Sequence, residues 1–334
     1  MALVMVPPAS APDFLAAHGW GGAAIVPLAG DASFRRYFRV VGDRGQAVLM
    51  DAPPDKEDSR PFLDIAAHLV SLGFAAPRAL AVDLSQGLIL LEDFGDKRVA
   101  PLLAADSSDE TAIYETAIDI LAALHDHAPP PVAPYHRGEL LREVNILSEW
   151  YLPVVGAAGD VESYEAAWET VWRDVVAETA AHPVLVLRDY HADNLMVLDD
   201  REGLQRLGLL DFQDALAGHP AYDLVSVLQD ARRDVDPRLE AAMLDRYMAA
   251  RGIADRAAFR ASYEVLGAQR NAKILGVFSR LWKRDGKPGY KQFQPRVWRY
   301  LERNLAHPAL EPVRGWFDAH LGADQRAAAW KDAA

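Results

Sequence analysis

The sequence predicts an α+β protein with two lobes, a small antiparallel β-rich lobe over residues 1–94 and a large helical lobe over residues 95–334. Two observations predict this class. Most strand-forming segments precede residue 95, in the order β-β-α-β-β, and apolar residues recur at helical spacing from about residue 105 onward. Because small-molecule sites tend to lie in the cleft between two lobes, we expect the site where the two lobes join.

Aromatic and β-branched residues mark the strands of the first lobe. SFRRYFRVV (33–41) and QAVLMDA (46–52) flank the turn GDRG and predict an antiparallel pair. FLDIAAHLVSLG (62–73) has helical apolar spacing and stops at a glycine. PRALAVD (77–83) and GLILLEDF (87–94) predict two further strands.

Amphipathic helices make up the second lobe, which follows a connector at residues 92–95. Three segments have the helical pattern: ETAIDILAALHDHA (115–128), ELLREVNILSEWYL (139–152) and YEAAWETVWRDVVAETAAH (164–182). From Tyr222 onward the pattern is almost wholly helical. These segments predict a lobe built mainly from packed helices.

The composition excludes several kinds of site. The chain has no cysteine, which rules out disulfides, zinc–thiolate sites, iron–sulfur clusters and cysteine nucleophiles. Its 35 basic and 48 acidic residues give a net charge of -13, which argues against a nucleic-acid or anionic-membrane surface. The first residues lack a basic segment typical of a signal peptide, and no apolar run is long enough to span a bilayer. We therefore expect a cytoplasmic protein with no evident protein partner.

The segment LVLRDYHADNLMVL (185–198) places polar residues between two aliphatic runs, where they are costly unless they are partnered or functional. A hairpin follows, with a strand at Leu195–Leu198, a turn at DDREG and a return strand at Leu204–Leu210. Arms of similar length bring Asn194 and Asp211 together, and Asp189 lies five residues before Asn194. These oxygen donors suit Mg²⁺ shared with substrate phosphates, and they leave Asp189 to deprotonate a hydroxyl nucleophile.

Two other interpretations of this segment stay open. DYHAD is compatible with a mononuclear or binuclear metallohydrolase cluster of Asp and His side chains. It is also compatible with an inert polar turn, since Asp and Asn are common turn residues. Asp-x₄-Asn followed by Asp-Phe is, however, the order of base, metal ligand and metal ligand in phosphoryl transfer by kinases. The predicted hairpin with Asp211 at its end therefore favours the catalytic interpretation.

The segment LRDYHADNLMVL and the later LGLLDFQDALAGHPAYDL resemble the aminoglycoside and choline kinase-like phosphotransferases, which are relatives of protein kinases. LAGDASFRRYFRV, LILLEDFGD, EWYLP and QRNAKILGVFSRLWKRDGKPGY are similar to the bacterial anomeric kinases of that family. The resemblance covers most of the chain. It implies a protein kinase-like fold and transfer of phosphate from ATP to the C1 hydroxyl of N-acetylmuramate or N-acetylglucosamine in cell-wall recycling.

The resemblance also assigns roles by position. Asp189 is expected to be the catalytic base, and Asn194 and Asp211 to bind Mg²⁺. Glu92, Asp93 and Phe94 are expected to form the hinge that offers backbone groups to adenine. Ser33, in GDASF, is expected to lie in the turn that covers the ATP phosphates.

The sequence departs from the family pattern at the lysine of the third strand, where AVLM places Met50. A substitute cation is needed to meet the phosphate charge. Strand alternation puts Arg36 on the same face as Phe38 and Val40, the more apolar face, which is expected to turn inward. An inward arginine needs an anionic partner, so Arg36 is the predicted phosphate ligand. The alternatives are an ion pair with Asp64 on the following helix and a head group that reaches solvent.

Four further residues are weaker candidates for substrate binding. His191 either touches the transferred phosphate or sugar or is a satisfied loop residue, and Asp214 either lines the acceptor pocket or lies on a surface loop. Arg270 and Lys273 share a helical face and suit the carboxylate of N-acetylmuramate, although basic residues on helices are usually just solvated. Asp223, near the start of an apolar helix, is expected to brace the catalytic loop.

Three competing functions remain at this stage. The same fold serves kinases for aminoglycosides or other small hydroxylated metabolites, and Met50 suggests a nucleotide-binding pseudokinase. The intact Asp189, Asn194 and Asp211 argue against a pseudokinase. A metallohydrolase would not depend on ATP.

Overall fold

The structure is a computed structural model that describes residues 5–28 and 34–331. It divides into two compact units. The first unit comprises Met1–Ser107 and Asp193–Asp214, and the second comprises Ser108–Ala192 and Ala215–Ala334. The catalytic segment predicted from the sequence is thus divided between them, with Asp189 in the second unit and both predicted metal ligands in the first.

Short strands are present in both units. They are β1 (Ala24–Pro27), β2 (Arg36–Gly42), β3 (Gly45–Asp51), β4 (Ala79–Asp83), β5 (Leu88–Glu92), β6 (Val184–Val186), β7 (Leu195–Val197), β8 (Leu207–Leu209) and β9 (Leu216–Gly218).

Helices account for most of the second unit. The α-helices are α1 (Ala11–Ala17), α2 (Arg60–Ser71), α3 (Val99–Ala105), α4 (Glu110–Leu124), α5 (Arg137–Ile146), α6 (Leu152–Val154), α7 (Val161–Ala181), α8 (Ala221–Leu228), α9 (Pro237–Ala250), α10 (Arg256–Lys283), α11 (Gln294–Leu305), α12 (Glu311–His320) and α13 (Ala323–Lys331). None of the helices in the described ranges is long and apolar enough to cross a membrane.

A five-stranded antiparallel sheet forms the body of the first unit, with the strand order β1-β2-β3-β5-β4. The predicted order β-β-α-β-β is confirmed, and β1 is an additional edge strand that the sequence analysis did not separate from its neighbours. In the β2–β3 register Tyr37 lies opposite Met50. Met50, at the position of the family's lysine, is fully buried.

One face of this sheet packs on α1. Phe38 and Val40 of β2 join Leu49 of β3 in a buried apolar cluster with Phe14 and Leu15 of α1. Burial of apolar side chains of this size contributes about 1.5–3 kcal/mol each. The apolar face of β2 is therefore the face that packs against the N-terminal helix.

The hairpin of β7 and β8 completes the first unit. Leu195 lies opposite Leu209, and the predicted hairpin is confirmed. The return strand is shorter than predicted, because Gly203–Arg206 form a turn of 3₁₀ helix. A Cβ on Gly208 would lie 2.6 Å from the ring of Phe94, so only glycine allows the hairpin to approach the hinge residue this closely.

The second unit is organised around α10, which has 28 residues. At Gly276 the helix backbone passes so close to α5 that a Cβ would lie 2.3 Å from the Ile146 carbonyl oxygen. The helices predicted within 115–128 and 164–182 are confirmed as parts of α4 and α7. The helix predicted over 139–152 is interrupted by a π-helical turn at Leu147–Tyr151. Pro153 follows this turn, and its missing N–H cannot sustain regular α-helical bonding there.

Candidate active site

The open end of the β7–β8 hairpin brings Asn194 and Asp211 together. The Leu210 N–H donates to the Asn194 carbonyl at 3.0 Å, and the Asn194 Nδ2 donates to Asp211 Oδ2 at 3.3 Å. Both side chains are half-buried. The hairpin thus places an amide and a carboxylate side by side, as its arm lengths predict.

Gln213 fixes the same carboxylate from the other side. Its Nε2 donates to Asp211 Oδ1 at 3.0 Å, so each oxygen of Asp211 accepts one amide N–H. The Gln213 Oε1 is buried and has no hydrogen-bond partner in the described part of the chain. Carboxylate and amide oxygens are the hard donors that Mg²⁺ prefers, so this donor set fits such an ion. Gln213 was not among the residues that the sequence predicted for this site.

The backbone is strained beside both predicted catalytic carboxylates. Among the described residues, Arg188 (φ 69°) and Asp211 (φ 60°) are the non-glycine residues with a left-handed backbone. Such conformations cost about 1–3 kcal/mol and cluster at functional sites. Arg188 immediately precedes Asp189, and Asp211 is a predicted metal ligand, so both local distortions lie in segments that are predicted to be functional.

Asp223 braces the loop that carries Asp189, as predicted. Its two oxygens accept the backbone N–H groups of Leu187 and Arg188 at 2.6 and 2.9 Å. The Ser226 hydroxyl donates to the Arg188 carbonyl at 3.1 Å and accepts from Arg270 Nη2 at 2.8 Å. The backbone before the half-buried Asp189 is thereby held by side chains of α8, and α8 is held in turn by Arg270.

Burial raises the pKa of Asp223 to about 7, and this outweighs the opposing effect of the two backbone N–H donors. Because the unfolded value is near 3.9, the folded chain binds an additional proton between about pH 4 and pH 7. This contribution to the unfolding free energy is present at low pH and is lost as pH rises towards 7.

We therefore expect wild type to lose about 1–4 kcal/mol of unfolding free energy between pH 5 and pH 8 relative to Asp223→Asn, which cannot titrate at this position. Urea denaturation of both proteins at the two pH values measures this difference. An equal change in both proteins would show that Asp223 does not titrate in this range.

A buried ionic cluster contacts the same loop through the Arg188 side chain. Glu143 on α5 is fully buried. Its carboxylate pairs with Arg188, and it pairs with Lys273 Nζ at 2.7 Å. Gln269 Nε2 donates to it at 2.8 Å, and the Tyr135 hydroxyl donates to it as well. Burial by itself raises the pKa of Glu143, but the two cations outweigh burial and lower the pKa to about 2. The sequence did not predict this carboxylate, because its partners are 45 and 130 residues away.

The two predicted sugar-binding cations are both engaged inside the second unit. Lys273 pairs with Glu143 and lies 3.4 Å from the Tyr222 hydroxyl, and Asp189 is among the anionic groups that raise its pKa, against the lowering effect of burial. Arg270 is buried and holds Ser226. Contact of either residue with the sugar stays a prediction.

His191 is buried and lies 3.2 Å from Arg232 Nη1. Burial lowers its pKa to about 3, so the imidazole is neutral at physiological pH. Asp230 accepts the backbone N–H of Ala192 at 3.2 Å and thereby holds the turn after His191. Asp214 is exposed. The substrate roles of His191 and Asp214 stay predictions.

The predicted hinge lies at the end of β5. Asp93 pairs with Arg39 at 2.6 Å and accepts the Gly95 N–H at 2.8 Å, while Glu92 pairs with Arg201. The Phe94 ring packs between Gly208 and the Arg201 guanidinium, which lies 5.2 Å from the ring centroid. The carboxylates of Glu92 and Asp93 are thus engaged within the protein, and contact of residues 92–94 with adenine stays a prediction.

Arg36 pairs with Asp51 at 2.7 Å, so the predicted alternative pair with Asp64 is wrong. The reason is the cross-strand register, in which Arg36 and Asp51 lie directly opposite each other. The Arg36 side chain is 41% exposed rather than turned inward. Ser33 lies outside the described residues, as do Gly30, Asp31 and Ala32 of the predicted phosphate-covering turn GDASF.

Among residues 5–28 and 34–331, no group of three or more His, Asp or Glu side chains is placed to hold a metal ion. The buried His191 contacts an arginine, which disfavours the metallohydrolase interpretation of DYHAD.

Comparison with solved structures shows that the chain has a kinase-like fold. A putative aminoglycoside phosphotransferase from Ralstonia eutropha superposes with a TM-score of 0.62 at 16% identity, covering 94% of this chain and 98% of its own. An aminoglycoside phosphotransferase from Streptomyces rimosus, in complex with ADP and streptomycin, superposes with a TM-score of 0.51 at 20% identity, covering 78% and 99%. The predicted kinase-like fold is confirmed.

The family follows from the sequence itself, since residues 24–261 match the model of the phosphotransferase enzyme family. The chain belongs to this family. A Caulobacter vibrioides protein named N-acetylmuramate/N-acetylglucosamine kinase is 39% identical, covering 94% of this chain and 96% of its own. Three further relatives, 33–38% identical, have the same name.

Proposed function

We propose that this chain is an ATP-dependent kinase that phosphorylates the anomeric hydroxyl of N-acetylmuramate, N-acetylglucosamine or both. The observation that carries the phosphoryl transfer is the pairing of Asn194 with Asp211 at the end of the hairpin. The acceptor is supported by the relatives with that name, which align over 84–96% of their own length. A cytoplasmic location fits a protein that uses ATP.

Asn194 and Asp211 would hold Mg²⁺ through their side-chain oxygens. When bound, the ion neutralises charge on the ATP phosphates and orients them. Gln213 keeps the Asp211 carboxylate in place through its amide N–H. Because such fixed donors need no reorganisation during the reaction, they favour the transition state rather than the ground state.

Asp189 would accept the proton of the sugar hydroxyl as that oxygen attacks the terminal phosphorus of ATP, and the bond from this phosphorus to ADP breaks so that ADP leaves. An anomeric hydroxyl is more acidic than an ordinary alcohol, so an aspartate is a sufficient base. Asp223 and Ser226 hold the backbone before Asp189, and this fixed position supplies much of the expected rate.

The adenine would bind to backbone groups of residues 92–94. Gly95 and Arg39 hold the Asp93 carboxylate, which fixes this segment at the end of β5. Phe94 is held by the hairpin at Gly208. The hairpin that carries the proposed metal ligands thus also supports the proposed hinge.

The test is a coupled ADP-release assay with ATP, Mg²⁺ and a panel of N-acetylmuramate, N-acetylglucosamine, glucose and kanamycin. We expect turnover on the N-acetylated sugars, with a product that has lost its reducing end. Turnover only on glucose or kanamycin would keep the kinase and reject the acceptor. Binding of ATP without turnover on any acceptor would favour a pseudokinase.

A further inference from the structure

In the first unit, the position of the family's third-strand lysine lacks a cation that could neutralise the phosphates of a nucleotide. Met50 occupies that position, is fully buried and cannot neutralise phosphate. Tyr37 lies directly opposite it on β2, so Tyr37 and Met50 share one face of the sheet. A cation that replaces the lysine must therefore reach this face, which is opposite to the face that packs on α1.

Arg35 reaches this face. It lies two residues before Tyr37, just outside β2, and in an extended chain residues two apart point to the same side. Its side chain is only 7% exposed, which is unusual for arginine and requires anionic partners. Its Nε donates to the Glu57 carboxylate at 2.6 Å. This pair joins a cation on the sheet to the segment before α2.

Asp211 lies near α2, the helix that follows Glu57. Phe62 of α2 stacks on Phe212 with ring centroids 5.3 Å apart, which fixes α2 beside the proposed metal ligand. Burial by itself lowers the pKa of Arg35, but Tyr37, Glu57 and Asp211 together raise it above its ordinary value. The guanidinium therefore lies within electrostatic reach of Asp211.

We propose that Arg35, positioned by Glu57, binds the phosphates of the nucleotide in place of the absent lysine. This inference rests on the proposed function, because it takes a nucleoside triphosphate as the ligand. A guanidinium has five N–H donors in a planar fork, so it can donate to Glu57 and to phosphate oxygens together. The pair of Arg35 with Glu57 thus performs the role of the lysine–glutamate pair of protein kinases.

This proposal replaces Arg36, the phosphate ligand predicted from the sequence, with Arg35. Arg36 then serves as the matched control, because it is the next residue and has the same charge. It lies on the face of Phe38, pairs with Asp51, and donates to the Val6 carbonyl at 3.1 Å. Strand alternation directs it away from the face of Tyr37 and Met50. The two arginines therefore separate a general effect of positive charge from an effect of position.

The experiment is calorimetric binding of ADP and of adenosine to the full chain, in wild type, Arg35→Met and Arg36→Met. We expect Arg35→Met to weaken ADP binding by about tenfold or more, the size of one charge-assisted hydrogen bond to phosphate. Adenosine binding should stay within about twofold, because adenosine lacks phosphates. Arg36→Met should bind both ligands like wild type.

Two further variants keep the test decisive. If Arg35→Met does not fold, Arg35→Lys retains the positive charge but lacks the planar array of N–H donors. It should still weaken the binding of ADP more than the binding of adenosine. Glu57→Gln should also weaken ADP binding selectively, because it frees the guanidinium to move. Equal loss of ADP and adenosine affinity in either variant, unchanged ADP affinity in Arg35→Met, or selective loss in Arg36→Met would overturn the proposal. Because binding is measured without an acceptor, a wrong acceptor assignment leaves these outcomes unchanged.

Discussion

Replacing Asp189 with asparagine should lower kcat on the N-acetylated sugars by about 10²–10⁴-fold, the range for loss of a positioned general base. Asparagine has nearly the same size, and the Leu187 and Arg188 N–H groups still donate to Asp223, so the loop should keep its shape. The amide cannot accept the hydroxyl proton. Steady-state ADP release with saturating sugar and ATP measures the loss.

Asp193 offers a matched control in the same segment. Asp193→Asn removes one carboxylate four residues later, in a turn of 3₁₀ helix, and should change kcat by only about twofold. Calorimetry should show ADP bound by Asp189→Asn as by wild type, because the base does not hold the nucleotide. Retention of more than a tenth of wild-type kcat in Asp189→Asn would contradict its role as base.

Replacing Glu143 with glutamine should lower the free energy of unfolding by about 3–5 kcal/mol, the cost of removing one partner from a buried ionic cluster. The change leaves Arg188 and the Lys273 ammonium without their shared carboxylate. Because Arg188 precedes Asp189, kcat should fall too. Urea denaturation at pH 7 followed by circular dichroism measures the stability.

Glu139, one turn earlier on α5, provides the comparison. It pairs with Arg142 at 3.0 Å near the surface, and such pairs contribute at most about 1 kcal/mol. Glu139→Gln should therefore destabilise the chain by less than about 1 kcal/mol. Equal effects of the two substitutions at pH 7 would contradict a special role for the buried cluster.

The stabilising effect of Glu143 depends on pH. Its folded-state pKa is lowered to about 2, so its contribution to the free energy of unfolding is present above the unfolded value near 4.3 and is lost as pH falls towards 2.

Local patterns predicted a large part of the candidate site. The two arms of the hairpin have similar lengths, and this alone places Asn194 beside Asp211. The position of Asp223 at the start of an apolar helix likewise indicated a structural carboxylate, and it accepts two N–H groups of the loop. Such predictions succeed because both partners are fixed by short-range geometry or by an element that has one buried face.

Periodicity on β2 correctly assigned its residues to two faces, but it did not predict what each face contacts. The apolar face was expected to turn inward, and Phe38 and Val40 on that face do pack on α1, but the Arg36 side chain is 41% exposed. Met50 on the opposite face is buried as well. When both faces of a strand are covered, alternation separates Arg35 from Arg36 but does not say what covers each face.

The sequence by itself determined the two-part α+β organisation, the hairpin with Asn194 and Asp211 at its end, and the order of carboxylates that phosphoryl transfer requires. Only the tertiary structure decided which unit the hairpin belongs to, what covers each face of β2, and which carboxylate neutralises Arg188 and Lys273. The physical reason is the separation along the chain of the residues that interact. Strand and helix periods are set by neighbouring residues, whereas burial of a charge is decided by partners that the folded chain brings from distant positions.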